Sequence, residues 1–374
     1  MPSTGTLPLD EKLCGGRLTV DLDALADNWA ALARLASTAE TAAVVKGDAY
    51  GIGVEAAAPA LARAGCKTFF VALPSEGVQL RAALPSAVIY VLNGLLEGAA
   101  ATYAGLDLRP VLSSWDEIEE WAAYREKGVA TGSAIHVDTG MNRLGLTLHE
   151  ALDLARRSDL LAAIGPTLIM SHLSSADTPA DPFNFRQLAL FNEIRGEFPD
   201  LPASLANSAG ILLGEDFHFD LVRPGIALYG ASAAAAPLRT VVTAEARVLA
   251  VREVEESEAV GYGLSEHMKR TSRIAILAAG YADGYHRRAG SSDDRKGAHV
   301  YIRGRPAPLV GRVSMDLMAA DVTDIRAVTR GDWAELFGPS VPIDDLARTA
   351  GTIGYELLTG LGRRYARQYL GGRN

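Results

Sequence analysis

The sequence lacks most of the features that mark secreted, membrane-spanning or nucleic-acid-binding proteins. Its 374 residues include only two cysteines, Cys14 and Cys66, too few for a disulfide framework and consistent with a reducing compartment. No apolar run is long enough to cross a bilayer, and the N-terminal segment has no basic region followed by an apolar one, as a secretory signal would. A net charge of −9 argues against a partner with a phosphate backbone. These absences favour a soluble, cytoplasmic protein without nucleic-acid or membrane partners.

Short apolar runs alternate with amphipathic stretches over the first 230 residues. The runs occupy residues 42–46, 69–73, 88–92, 108–112, 133–138, 166–173, 203–207 and 225–230. Helical periodicity fills many of the gaps, as at 54–65, 75–84 and 115–128. Eight strand candidates in this rhythm favour a (β/α)8 TIM-like barrel. An open doubly wound sheet remains the alternative, because periodicity cannot prove that a sheet closes.

The pattern changes after the Ala/Pro-rich stretch 231–239. Strand-like runs then follow one another without long helices, at 240–254, 273–281, 298–304 and 332–338. We therefore predict a barrel domain over residues 1–237, with the first residues packing on the second domain, and a mostly β C-terminal domain over 238–374.

The stretch "AVVKGDAYGIG", residues 43–53, places a lysine at the end of the first strand candidate. In a βα barrel, the carboxyl ends of the strands carry the active site. Lys46 alone fits a surface lysine whose stem lies on apolar residues. A desolvated lysine amine near other cations is also a nucleophile suited to bonding a carbonyl.

Together with its neighbours, this stretch resembles the cofactor-lysine motif of the alanine racemases, which are pyridoxal-phosphate enzymes. The resemblance extends in order over nearly the whole chain, through "VDTGMNRLG", "SHLSSAD", "ANSAG", "DLVRPGIALYG", "VGYG", "GYADG", "GRVSMD" and "IGYELL". It implies an isomerase with a barrel-plus-β-domain fold that racemises L- and D-alanine and supplies D-alanine for peptidoglycan and cell-wall biogenesis.

The resemblance implies that Lys46 binds pyridoxal 5′-phosphate covalently and then acts as one base, while Tyr262 acts as the second base on the opposite face of the substrate. It also implies that Arg223 faces the pyridine nitrogen of the cofactor. The further residues implied to bind the cofactor are Tyr50, Arg143, His172, Asn207, Ser208, Gly225, Ile226 and Tyr355. A helix N-cap remains the alternative for Ser208, and a packed aromatic for Tyr262.

Substrate binding is implied for Arg143, for the backbone N–H of Met315 and for Tyr281, which narrows the entrance. Asp316 is implied to order the turn that carries Met315, and an ordinary Asp turn without a role in the site remains the alternative. The resemblance also implies a homodimer in which the β domain of one subunit completes the barrel site of the other. No metal site is predicted.

The sequence departs from the family pattern at His136, where many members carry a lysine that is often carbamylated. Histidine cannot supply that anion, so we hypothesise that a bound chloride or a neighbouring side chain orients Arg143 instead. Ser314 replaces a common cysteine and Ile52 a common histidine; both changes are expected to be neutral for catalysis and to affect substrate breadth at most.

Three alternatives remain: a serine-preferring or broader-specificity racemase, an amino-acid decarboxylase of the same cofactor class, and a non-catalytic carrier of pyridoxal phosphate. Decarboxylases place an acidic residue near the pyridine nitrogen, which argues against them here because Arg223 takes that place. A carrier needs no second base, so Tyr262 and the β domain argue against it.

Overall fold

The computed structural model describes residues 10–231 and 238–372. The predicted domain boundary after residue 237 and the first nine residues therefore fall outside the described residues. The described residues divide into two compact units: residues 25–228 make the first, and residues 10–24, 229–231 and 240–372 make the second.

The strands are β1 Gly16–Asp21, β2 Glu40–Thr41, β3 Ala43–Val44, β4 Thr68–Val71, β5 Val88–Val91, β6 Leu108–Leu112, β7 Ser133–His136, β8 Pro166–Met170, β9 Ala203–Ser204, β10 Leu221–Val222, β11 Val242–Val254, β12 Ser272–Leu277, β13 His299–Ile302, β14 Arg305–Val310, β15 Met318–Asp321, β16 Trp333–Phe337 and β17 Tyr365–Leu370.

The helices are α1 Leu22–Leu35, α2 Lys46–Tyr50, α3 Val54–Ala64, α4 Pro74–Ala83, α5 Ala100–Gly105, α6 Trp115–Arg125, α7 Leu148–Ala155, α8 Ser158–Ile164, α9 Phe183–Gly196, α10 Ser208–Ile211, α11 Ile343–Ala350 and α12 Gly354–Thr359. Short 3-10 helices cover Glu11–Leu13, Glu215–Phe217, Ile226–Tyr229, Tyr262–Leu264, Tyr281–Asp283 and Arg287–Ala289. Within the described part of the chain, no helix has the length and apolar character that a membrane span requires.

The first unit is a closed parallel barrel. Strands β3 to β9 pair in chain order, and β10 pairs in parallel with β2, which leads into β3. Closure comes from β10, because Arg223 N donates to Ala206 O on one side and Val44 N donates to Pro224 O on the other, both at 2.9 Å. The strands are mostly buried runs rich in Val, Leu and Ile, as parallel strands covered on both faces require. The predicted barrel is confirmed, and an open sheet is excluded.

The predicted eighth strand at 225–230 is wrong. That segment forms the 3-10 helix Ile226–Tyr229, and the eighth strand is β10, immediately before it. Pro224 cannot donate to a strand ladder, which ends the strand early. A short apolar run after a Pro-Gly pair does not distinguish a strand from a helical turn by periodicity.

The second unit is built on one eight-stranded sheet in the order β12-β15-β14-β13-β16-β11-β1-β17. Most neighbours are antiparallel, and β11 also pairs with β12, so this long strand bridges both parts of the sheet. Strand β1 lies between β11 and β17 and runs parallel to β17. The predicted mostly β C-terminal domain is confirmed.

Candidate active site

Lys46 lies two residues after the end of β3 and begins a left-handed turn at the carboxyl end of the barrel strands. The φ angles are +65° at Gly47, +55° at Asp48, +52° at Ala49 and +53° at Tyr50. Only glycine adopts this conformation freely, so three successive residues with side chains carry backbone strain. Strain of this kind clusters at functional sites, where the surrounding structure holds it in place.

Two charged groups, Arg143 and Glu76, act on the amine of Lys46. Burial of the amine, and then the positive charge of Arg143, lowers the pKa of Lys46, while the carboxylate of Glu76 opposes the shift. A lysine with a lowered pKa is a better nucleophile and a better base near neutral pH. Arg143 lies in the loop after β7 and forms no ion pair within residues 10–231 and 238–372.

Arg223 follows β10 and is buried, with 3% of its surface exposed. Its guanidinium donates to Ser171 O at 2.6 Å and also to the Ser204 hydroxyl. Its Nη2 lies 3.4 Å from His172 Nδ1. Burial lowers the pKa of Arg223 to about 9, which leaves it protonated at neutral pH. Its described partners are all neutral, and Nε makes no hydrogen bond within the described residues.

Two histidines near this guanidinium are neutral. Burial, followed by the charges of Arg223 and Arg143, lowers the pKa of His136 to about 4. The same causes lower the pKa of His172 well below its ordinary value. Nδ1 of His136 lies 3.4 Å from the hydroxyl of Ser113. His136 therefore supplies no negative charge to Arg143.

Ser208 and Gly225 form a polar cradle after β9 and β10. The hydroxyl of Ser208 accepts from Gly225 N at 2.9 Å and from Ala227 N at 3.3 Å. A Cβ on Gly225 would lie 2.3 Å from the hydroxyl of Tyr50, so only glycine lets that hydroxyl approach. The N-cap of α10 is Asn207, whose side chain accepts from Gly210 N, and not Ser208. The capping alternative for Ser208 is therefore wrong.

In the second unit, Tyr262 lies at the edge of a cavity of about 740 Å³. The cavity is lined by apolar side chains together with polar ones, including Arg312 and Ser314. The Tyr262 side chain is not packed in a core, because 72% of the residue is exposed. Leu264, which also lines this cavity, is exposed as well. The packed-aromatic alternative for Tyr262 is therefore wrong.

Tyr281 and Met315 lie on two turns that are hydrogen-bonded to each other. Tyr281 N donates to Ser314 O, and Ala282 N donates to Met315 O, both at 3.0 Å. The guanidinium of Arg364 then joins the carboxylates behind both turns. Its Nε and Nη2 donate to Asp283 at 2.8 and 2.7 Å, and its Nη1 donates to Asp316 at 2.7 Å.

The predicted residues thus fall into two groups, one in each unit. The barrel unit brings together Lys46, Tyr50, Arg143, His172, Asn207, Ser208, Arg223, Gly225 and Ile226 at the carboxyl ends of its strands. The β unit carries Tyr262, Tyr281, Met315, Asp316 and Tyr355, the last on α12 and partly exposed. Sequence reasoning missed Glu76 and Arg364. A glutamate three residues into a Pro-led helix indicates a cap, but no pattern indicates the partners of Arg364.

The barrel group fits pyridoxal 5′-phosphate by the chemistry of its donors. A lysine with a lowered pKa suits covalent binding of an aldehyde. The glycine cradle with its hydroxyls suits a phosphate, and Nε of Arg223 is a free donor for a ring nitrogen. His172 beside Arg223 is neutral, so it adds no second positive charge there.

All the comparisons with known proteins indicate the same family. Residues 20–233 match the model of the alanine racemase N-terminal domain, and residues 241–369 match that of the C-terminal domain. The chain is 49% identical over 365 residues to the biosynthetic alanine racemase of Agrobacterium fabrum, covering 95% of this chain and 93% of that one. It is 50% identical over 368 residues to the alanine racemase of Rhizobium meliloti, with coverage of 95% and 97%.

A solved structure gives the same result. The crystal structure of alanine racemase from Bartonella henselae with covalently bound pyridoxal phosphate superposes with a TM-score of 0.90 at 40% identity, covering 95% of this chain and 99% of that one.

Proposed function

The chain belongs to the alanine racemase family, and from this premise we propose that it interconverts L- and D-alanine with Lys46 and Tyr262 as its two bases. Family membership makes it an isomerase that uses pyridoxal 5′-phosphate and acts on an amino acid. The observation that carries the assignment of Lys46 is its place at the end of β3, with a pKa lowered by burial and by Arg143.

The roles of Lys46 and Tyr262 follow from the chemistry of their side chains. When bound, pyridoxal phosphate supplies a sink for the electron pair left at the α-carbon. Lys46 accepts or returns the α-proton on one face, and the hydroxyl of Tyr262 does so on the other. Arg143 and the backbone N–H of Met315 hold the substrate carboxylate, while Tyr281 restricts the entrance. We propose that Asp316, held by Arg364, keeps the Met315 turn in position.

We propose that Tyr50, Ser208, Gly225, Ile226 and Tyr355 hold the phosphate of the cofactor. Asn207 supports the same loop, since its side chain caps α10.

Arg223 controls the type of reaction by remaining protonated. A guanidinium only donates hydrogen bonds, so it leaves the pyridine nitrogen without a proton and weakens the electron sink. His172, through its contact with Arg223, keeps the guanidinium in place. The lack of any carboxylate among the described partners of Arg223 supports racemisation over decarboxylation.

We infer that the working enzyme is a homodimer in which the β unit of one subunit completes the barrel site of its partner. Tyr262 is exposed beside a large cavity together with other apolar side chains, as expected for a surface that a second chain covers. The β-domain residues Tyr262, Tyr281 and Met315 would then enter the partner's site. We further propose that the enzyme acts in the cytoplasm and supplies D-alanine to peptidoglycan synthesis.

The experiment is a racemisation assay with L- and D-alanine, serine and other amino acids, with the visible absorbance of the purified protein recorded. Alanine as the best substrate and a cofactor band support the proposal; turnover of serine alone would favour the broader-specificity alternative. If no deuterium from the solvent appeared at the α-carbon during turnover, the two-base reaction would be contradicted.

Shared sites are tested by mixing two inactive chains, Lys46→Ala and Tyr262→Phe. Each homodimer is expected to be nearly inactive, while a mixed dimer regains one intact site. Heterodimers that demonstrably form but regain no activity would contradict the shared site.

A further inference from the structure

Glu76 is attached to the backbone of the turn that begins at Lys46. It lies in the first turn of α4, and its Oε1 accepts from Gly47 N at 2.6 Å. Its Oε2 accepts from Ala72 N at 2.7 Å and from Leu73 N at 3.1 Å. One carboxylate therefore ties the loop after β3 to the loop after β4, with both oxygens in use.

The turn depends on anchors of this kind because its conformation is strained. Its first anchor is the contact of Gly47 N with Glu76, and its last is the carboxylate of Asp48, which accepts from Val54 N at 2.8 Å. Between these two anchors, three residues with side chains hold positive φ. Release of the first anchor would allow the turn to relax and the Lys46 side chain to move with it.

Glu76 also provides the negative charge beside Lys46. The charged and titratable groups that act on this amine are Arg143 and Glu76, and His172, which is neutral, lies within electrostatic range. The carboxylate of Glu76 raises the pKa of Lys46 against burial and Arg143, which lower it.

A second glutamate carboxylate also accepts backbone hydrogen bonds from two neighbouring barrel loops, but at loops that carry no proposed catalytic lysine. Glu117, in the first turn of α6, accepts from Ser113 N at 2.5 Å and from the backbone of Leu95, which belongs to the loop after β5. It ties the loops after β5 and β6 as Glu76 ties those after β3 and β4. Glu117 therefore provides a control for the purely structural effect of such a tie.

We propose that Glu76 is a positioning residue for Lys46: its carboxylate fixes the left-handed turn and stabilises the positive charge on the lysine nitrogen when the cofactor is bound. The proposal rests on the proposed function of Lys46. Glu76 is therefore expected to affect the charge on the lysine nitrogen, whereas Glu117 only ties its own two loops together.

The test compares the parent holoenzyme with Glu76→Gln and Glu117→Gln. Glutamine keeps the size of the side chain but loses the charge and places an NH2 group against backbone N–H donors. The visible band of the bound cofactor is titrated with pH, and kcat and KM for alanine are measured. For Glu76→Gln, we expect the midpoint of the titration to fall by about one pH unit. We expect kcat/KM to fall about 10-fold or more. Glu117→Gln is expected to keep the parental midpoint.

An unshifted midpoint in Glu76→Gln, or an equal shift in Glu117→Gln, would overturn the proposal. If Glu76→Gln is insoluble, Glu76→Asp decides: its shorter carboxylate keeps the charge but cannot reach Gly47 N, so an unchanged kcat/KM would refute the positioning role. A parent protein without a cofactor band or racemase activity would refute the proposed function instead.

Discussion

Replacement of Arg364 by glutamine is expected to weaken substrate binding without touching substrate. Arg364→Gln removes three charge-assisted hydrogen bonds, two to Asp283 and one to Asp316. The side chain of Asp283 is only 8% exposed, so its lost bonds cost about 2 kcal/mol. That of Asp316 is 57% exposed, and solvent screening makes its share small.

If the whole of that energy is lost at the two turns that bear Tyr281 and Met315, kcat/KM for alanine falls by about 30-fold, since 1.4 kcal/mol is tenfold. On the proposed function, these turns bind substrate both before and during the reaction, so we expect most of the loss as a higher KM and less as a lower kcat. Steady-state kinetics of the holoenzyme measure both.

Arg303→Gln is the matched control. Arg303 donates to both oxygens of Asp332 at 2.8 and 2.9 Å, and its side chain is 44% exposed against 50% for Arg364. The turn it stabilises, between β13 and β14, carries none of the proposed site residues. A parental KM in Arg364→Gln, or an equal rise of KM in Arg303→Gln, would refute the reasoning.

Three further outcomes follow from the barrel unit. Gly225→Ala places a Cβ 2.3 Å from the hydroxyl of Tyr50 and should weaken cofactor retention in a dialysis assay, whereas Gly196→Ala, with open space around it, should not. Ser208→Ala removes the acceptor of two backbone N–H groups, so cofactor dissociation should accelerate; an unchanged rate would contradict its role. Burial lowers the pKa of His136 from 6.5 to about 4. Between these pH values the unfolded chain binds a proton at His136 that the folded chain does not bind, so the free energy of unfolding should fall as the pH drops from 6.5 to 4. His136→Asn should flatten that dependence in denaturant titrations; an equally steep loss would contradict it.

The sequence predicts the architecture well because strand and helix periods are local. Seven of the eight barrel strands overlap their predicted runs. Strand β10 is missed because it has only two residues and Pro224 follows soon after it. Strand β1 cannot be assigned to its sheet from its own residues, since its partners β11 and β17 lie more than 200 residues away.

Sequence motifs suggest the residues that we propose for direct chemical roles, but they do not suggest the residues that hold them in place. Lys46 and Arg223 stand in recognisable stretches, but Arg364 meets Asp283 across 81 residues of sequence. Glu76 reaches Gly47 across 29 residues. Such contacts depend on how loops approach each other after folding, which no local pattern encodes.

The position of β1 has a consequence for synthesis on the ribosome. Its residues 16–21 leave the exit tunnel early, yet the neighbours on its two sides, β11 and β17, are translated much later, the last of them at residues 365–370. The barrel can close co-translationally while this early strand waits unpaired. Newly made chains therefore expose an unprotected strand edge for most of elongation, a period in which chaperone capture or aggregation would compete with maturation.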